Sequence, residues 1–339
     1  MKKSLIVLAA LGAFTSVASA QSSVTLYGRV DLSINKPVGS GAKGISNGSG
    51  SRFGVRGVED LGGGMSAFFN VEHRFDADTG AQSAAPVAAG VNANAAPLSR
   101  FWTGRSIVGL QGGFGKVTLG REYATAFLMS QLIADPWGWD TVVAGTPGGT
   151  AGLTNLLTGG NIARVRNDSS LTYNFSAAGF SVGAQIAEAT DAINIFPKKP
   201  FNFAVSYAAG PVMVALGYEK TGQRGAGGDS AKWMTLNGSF NMGAVKLGGL
   251  YGTGNTAAGN DHRSWMVTAV APLGQGEFRA VYGRLQDKTA DIDATKGFGL
   301  GYHYALSKRT TLYTDYVRNT GVLAGNRKTG YDFGVKHNF

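Results

Sequence analysis

Tyr331-Asp332-Phe333-Gly334-Val335-Lys336-His337-Asn338-Phe339 ends the chain, and its reading decides the fold. Tyr331, Phe333, Val335, His337 and Phe339 share one parity; Asp332, Gly334, Lys336 and Asn338 share the other. Successive side chains of a strand point to opposite faces, so the segment reads as a strand with an aromatic-rich face and a polar face. Such a strand suits a wall with lipid on one side and water on the other.

The same alternation recurs upstream. Val24, Leu26, Val30, Leu32 and Ile34 interleave with Thr25, Tyr27, Arg29, Asp31 and Ser33. Leu171, Tyr173 and Phe175 repeat it, as do Phe201, Phe203, Val205 and Tyr207, then Val212, Val214, Leu216 and Tyr218. A soluble sandwich also alternates, but its strands run to ~5–6 residues, whereas these approach the ~9–11 needed to cross a bilayer at a tilt. Short turns near residues 61–64, 112–115, 177–179, 209–211, 241–243, 272–276 and 306–308 alternate with longer polar segments, among them 37–50, 77–99, 191–199, 223–229 and 321–327. That asymmetry describes an all-β transmembrane antiparallel barrel of about sixteen strands, a size whose lumen stays open to water. No internal boundary shows, so residues 21–339 are expected to form one barrel domain.

The N-terminus agrees. Lys2 and Lys3 precede an apolar run over residues 5–14, and Ala18-Ser19-Ala20 offers small residues for cleavage. This is the pattern of a signal peptide over residues 1–20. The run is shorter than the ~20 apolar residues of a membrane helix. The chain has 52 glycines and no cysteine. Extracytoplasmic proteins often rely on disulfides, whereas a barrel closes through its own hydrogen-bond ladder. Net charge is +10, or +8 without Lys2 and Lys3, and the basic residues are scattered along strands rather than gathered into a nucleic-acid patch.

One connection stands apart. Between about residues 123 and 162 the alternation lapses, and Ala134-Asp135-Pro136-Trp137-Gly138-Trp139-Asp140 lies in its middle. Loops this long in a compact unit are usually functional or disordered. Two tryptophans carry apolar area that needs burial, so the loop is expected to fold inward.

Several segments resemble the trimeric Gram-negative outer-membrane porins, in particular the β-proteobacterial general and anion-preferring diffusion channels. They are Ser23-Val24-Thr25-Leu26-Tyr27-Gly28-Arg29, Ser51-Arg52-Phe53-Gly54, Glu59-Asp60-Leu61-Gly62-Gly63-Gly64, Val117-Thr118-Leu119-Gly120-Arg121 and the terminal Phe339. The resemblance implies an outer-membrane channel for passive diffusion of small hydrophilic solutes and ions. It implies a third loop folded into the lumen as a constriction, and a homotrimer. It also implies contact with outer-membrane lipid and lipopolysaccharide, and a Phe339 read by the barrel-assembly machinery.

Parity locates the lumen face. Arg29 and Asp31 oppose Val30 and Leu32; Arg52 and Arg56 oppose Phe53 and Val55; Glu72 and Arg74 oppose Phe69 and Val71. Arg164, Arg166 and Asp168 share the parity of Ser170 and Thr172. Arginine facing lipid at mid-depth costs ~2–4 kcal/mol, which places these side chains inside. Each could simply solvate a wet wall, but rings of basic side chains are also how pores favour anions. The resemblance matches Arg29, Arg52 and Arg166 to a basic ladder, with Arg56 and Arg74 close by. It assigns Asp135, Asp140 and Glu122 to the facing acids. The family's arginine five residues before the Gly-Leu of strand four is here Gly104, and Arg105 one place later is expected to point away from the lumen. Gly104, Ile107 and Gly109 are expected to face outward and let barrels approach closely.

Catalysis finds little support. His73, His262, His303 and His337 sit on separate strands without metal-ligand spacing, and no Ser–His signature or phosphate loop is present. No cofactor or metal is expected. A solute-selective channel, a lipid-acting barrel enzyme and an adhesin remain the competing readings. The first would line its path with aromatics, the second would lose activity with one Ser or His, and the third would bind without its central loop.

Overall fold

A computed structural model describes residues 22–83, 101–145, 152–160, 162–188, 190–191, 194–195, 199–223 and 230–339. The expected signal peptide and parts of the long segments 77–99, 191–199 and 223–229 lie outside the described residues. Sixteen strands follow one another: β1 (Ser23–Lys36), β2 (Ser51–Gly62), β3 (Met65–Asp76), β4 (Ser106–Gly112), β5 (Gly115–Tyr123), β6 (Arg166–Ala177), β7 (Phe180–Ala187) and β8 (Phe201–Ala209). They continue as β9 (Val212–Gln223), β10 (Ser230–Asn241), β11 (Lys246–Asn255), β12 (Asp261–Leu273), β13 (Gly276–Asp287), β14 (Ile292–Ala305), β15 (Thr310–Asn319) and β16 (Thr329–Asn338). Each pairs antiparallel with its predecessor, and β16 pairs with β1, setting Leu32 opposite Val335 and Arg29 opposite Asn338. The barrel is therefore closed and leaves no strand edge, as a sheet in lipid requires. Short strands Gly44–Asn47 and Ala81–Gln82 extend it above β1 and β3.

The terminal segment lies as its parity dictates. Phe333 is 57% exposed on the outer wall, and Asp332 is 2% exposed inside. Phe339 closes the seam. Its N–H and C=O exchange hydrogen bonds of 3.1 and 3.0 Å with Gly28, and its ring lies where a Cβ at position 28 would stand.

The interior is not uniformly wet. From the end of β5 the chain enters the lumen through helical turns at Phe127–Gln131, Leu132–Ala134, Thr141–Ala144 and Thr154–Leu157. One flank of this loop is apolar: Trp137, Val142, Val143, Leu153, Leu156 and Leu157 are buried against inward Trp233, Met266, Val281, Leu285 and Val317 of β10, β12, β13 and β15. Each large apolar side chain so buried contributes ~1.5–3 kcal/mol. Val143 and Leu157 occupy the space that side chains at Gly299 and Gly283 would fill, so these strands admit the loop where they lack a Cβ. On this side the inward face of the wall thus carries apolar side chains and glycines together.

Candidate channel constriction

Hydrogen bonds fix the loop against this wall. Trp137 donates its indole N–H to Asp315 of β15 at 2.7 Å, and Val142 N–H donates to Asp332 of β16 at 3.0 Å. Trp233 Nε1 donates to Thr158 C=O at 2.9 Å, and Ser264 Oγ to Leu157 C=O at 2.6 Å. Asp315 also meets the Nε2 of His303 at 3.1 Å. His303 therefore belongs to the loop's anchorage.

The other flank presents Asp140. Its neighbours Trp139 and Thr141 have φ of 63° and 67°, a left-handed conformation that is a true outlier for a β-branched residue and costs roughly 1–3 kcal/mol per residue. Flanking bonds hold it: Trp139 N–H donates to Asp135 at 2.8 Å, and Thr141 N–H to Gly48 C=O at 2.6 Å. So held, Asp140 lies 3.0 Å from Arg29 and 4.0 Å from Lys336, bridging loop and wall. Arg29 also donates to Asn338 at 2.9 Å and Ser49 at 3.2 Å.

Asp135, expected as a second wall-facing acid, turns into the loop instead. It is 4% exposed and accepts from Trp137 N–H at 2.9 Å, Trp139 N–H at 2.8 Å and Thr154 Oγ1 at 2.7 Å. Burial pushes its carboxyl up from 3.8 to about 6, against the lowering by those three donors. It organises the turn that presents Asp140.

Beside Asp140 the basic wall converges on Tyr123, a residue the sequence reading passed over. Its hydroxyl accepts from Arg74 at 2.6 Å and from Arg166, whose guanidinium carbon stands 4.0 Å above the ring. Arg105 stands 4.9 Å from the same ring, and Phe127 stacks on it at 5.7 Å. Glu72 lies 2.9 Å from Arg74, and Glu122, at the mouth of the loop, 2.8 Å from Arg105. Arg52 is in register with both Arg29 and Arg74, on the same face. The Nε atoms of Arg52 and Arg166 are buried without a hydrogen-bond partner among the described residues. Asp31 lies behind Arg29, accepting from Ser49 Oγ at 2.6 Å. Five guanidiniums and Lys336 thus stand against four carboxylates, Asp31, Glu72, Glu122 and Asp140, and the balance is positive.

Other expected positions fall elsewhere. Arg56 lies 5.2 Å from the Tyr27 ring, and Arg164 contacts β9 and β6, its N–H 2.8 Å from Glu219 and its Nη1 3.5 Å from Asn167. Asp168 leaves the inner face: an irregularity between Gly120 and Glu122 shifts the β5–β6 register, Ser169 takes φ 47°, and Asp168 pairs with outward Arg121 at 2.6 Å. Arg166 reaches the cluster through its pairing with Tyr123, where the chain bends into the lumen, and not through the parity of Ser170.

Strand β4 corrects another expectation. Asn70 pairs with Ile107 and Phe68 with Gly109, so Ile107 and Gly109 face inward, and Val108 and Leu110 form the outer wall. Arg105 shares the inward parity. Gly104 N–H donates to Glu72 C=O while Glu72 N–H donates to Arg105 C=O, which sets two residues opposite one. That bulge puts the guanidinium in the lumen one position later than the family pattern implied.

A family model described as Gram-negative porin matches residues 7–322. Outer membrane porin protein 32 of Delftia acidovorans is 34% identical over 379 aligned positions that cover both chains fully. An outer membrane porin protein of Bordetella pertussis is 27% identical, again over the whole of both. Among solved structures, the anion-selective porin from Comamonas acidovorans superposes with a TM-score of 0.73 at 28% identity, covering 94% of this chain and 100% of that one. OmpT of Vibrio cholerae, in its trimer form, shares the fold at a TM-score of 0.69 and 16% identity, over 94% and 99% of the two chains. With a closed barrel, an inward-folded loop and a charged gap between loop and wall, the chain belongs to the Gram-negative porin family and is an integral β-barrel of the outer membrane.

Proposed function

We propose that this porin passes small hydrophilic solutes with a preference for anions, set where Asp140 faces the arginine wall. The observation that carries the reading is the uneven charge of that gap: Arg29, Arg52, Arg74, Arg105, Arg166 and Lys336 against Asp31, Glu72, Glu122 and Asp140. Opposed charges across a gap orient polar solutes, and the cationic excess raises the local concentration of anions. The likeness to a porin described as anion-selective supports the same sign. Replacing Arg52 and Arg166 together by alanine tests it: the ratio of anion to cation permeability should fall, while an unchanged ratio counts against this wall as its source.

The working unit is a homotrimer. Supporting this are the trimer form of a neighbour of the same fold and an outward ring cluster of Phe53, His73, Phe75, Phe101 and Trp102, a preformed contact surface at the loop end of β2 and β3. Light scattering in mild detergent should return three chain masses; one chain mass contradicts it. Phe339, on the outer face of the seam, serves as the assembly signal. Loss of solute flux with the barrel intact, rather than loss of any hydrolytic activity, is the phenotype a channel predicts for blocking the constriction.

A further inference from the structure

Where β5 runs into the loop, amide side chains of the wall fasten the chain. Gln185 of β7 donates to the Tyr123 C=O at 3.1 Å, and its own side-chain oxygen accepts from Asn167 of β6 at 2.8 Å and Asn202 of β8 at 2.9 Å. Asn202 in turn accepts from the N–H of Thr125 at 2.7 Å. Position 123 is therefore fixed through its backbone and through neutral groups. The Tyr123 hydroxyl takes no part in that fastening.

That hydroxyl stands between two cations. Its oxygen accepts from Arg74 and from Arg166 at once, which uses its capacity as an acceptor on two guanidiniums of like charge. The two cations are not equivalent. Arg74 also has Glu72 at 2.9 Å, whereas the Tyr123 hydroxyl is the only hydrogen-bond acceptor that the Arg166 side chain meets among the described residues. Like charges brought side by side repel, and an oxygen that accepts from both offsets the repulsion. Without it, Arg166 would keep only its place above the ring.

The ring continues toward the tip of the loop. Leu128 N–H donates to Ala124 C=O at 3.1 Å, so the chain is already helical here, and residues four apart share a face. Phe127 accordingly lies on Tyr123, 5.7 Å between ring centres at 11°. Trp139, the neighbour of Asp140, meets Phe127 edge-on at 4.7 Å. One side chain thus joins Arg166 on the wall to an aromatic stack that ends beside Asp140 on the loop.

We propose that Tyr123 is a positioning residue for ion preference: its hydroxyl draws Arg166 in beside Arg74 and so sets how much positive charge the gap presents. Such a role rests on the reading of this gap as the seat of ion preference, and adds a neutral side chain through which that preference is tuned. Reversal potentials of the unmodified protein, Tyr123→Phe, Arg166→Ala and the double variant test it. Phenylalanine keeps the ring, its stacking on Phe127 and the backbone bond to Gln185, so barrel and loop should assemble. The substitution removes no charge. Even so, the ratio of anion to cation permeability should fall by at least half as much as in Arg166→Ala. In the double variant it should fall no further than in Arg166→Ala alone, because residues that act through one another are not additive. A side chain that merely filled space would produce neither result. Phenylglyoxal, which modifies accessible guanidiniums, should also label Arg166 faster in Tyr123→Phe than in the unmodified protein, as resolved by peptide mapping. An unchanged ratio in Tyr123→Phe, where Arg166→Ala lowers it, overturns the role of Tyr123 and leaves the reading of the gap standing. Fully additive losses in the double variant, or an unchanged labelling rate, overturn it as well. A ratio that neither single variant moves removes the reading of the gap and the role of Tyr123 together.

Discussion

Replacing Trp137 by alanine should loosen the constriction without loosening the barrel. The indole is 2% exposed, packs in the loop's apolar flank and donates to Asp315 at 2.7 Å. Truncating a buried Trp costs about 3–5 kcal/mol. Part of that cost is the lost bond to a charged acceptor, which alone is worth about 1.5–3 kcal/mol. Even the lower bound of about 3 kcal/mol weakens docking of the loop roughly 100-fold. No barrel ladder bond involves Trp137, so the cost should surface as local opening and leave global unfolding unchanged. Single-channel records should then show excursions to a larger conductance and more open-channel noise, with heat stability of the oligomer unchanged. Trp137→Phe, which keeps most apolar contact and loses only the donor, should fall between. Traces of Trp137→Ala indistinguishable from those of the unmodified protein would refute the idea that this flank holds the loop.

Three further outcomes follow from particular contacts. Asp135 has its carboxyl raised to about 6 by burial, so between about pH 4 and 6 the folded loop binds more protons than the open one; the resulting stabilisation is complete below 3.8 and lost as pH rises through 6. Amide exchange of Trp137 and Trp139, corrected for intrinsic rate, should be slower at pH 5 than at pH 7, and Asp135→Asn should flatten the difference; equal protection at both pH values in the unmodified protein contradicts it. Deleting Phe339 should lower outer-membrane yield by removing the seam bonds to Gly28 and the outward terminal ring, and undiminished yield at high expression counts against a role in assembly. Gly28→Leu should reduce yield in the same direction by displacing the Phe339 ring; normal yield and heat resistance would show that the ring needs no seat.

The barrel was legible because a period of two on a lipid-facing wall leaves its trace in every strand. Val24 to Ile34 and Tyr331 to Phe339 carry it plainly, and the short and long connections gave the polarity of the ends. The inward loop was legible from its two tryptophans. Parity failed where the backbone breaks step. The bulge at Gly104 and Arg105 and the irregularity around Ser169 each move side chains between faces, and neither has a signature beyond Gly104 and a left-handed serine. Tyr123 was missed because it stands where strand becomes loop, so its direction depends on the bend rather than on alternation. Asp135 and Asp140 are alike in sequence, and only the hydrogen bonds of the turn separate a carboxylate that organises the loop from one that faces Arg29. The apolar inner faces of β10 to β15 were hidden for a different reason. A residue such as Met266 beside Trp265 is unremarkable until the loop that covers it is known.

The reversal potential of the unmodified protein in a planar bilayer, across a gradient of potassium chloride, bears most directly on the excess of arginine at the constriction. The account predicts an anion-selective potential that weakens as ionic strength rises and the screening length drops below ~8 Å. A cation-selective potential at low salt would contradict it, because Asp31, Glu72, Glu122 and Asp140 would then govern the pore despite the guanidiniums of Arg29, Arg52, Arg74, Arg105 and Arg166 around them.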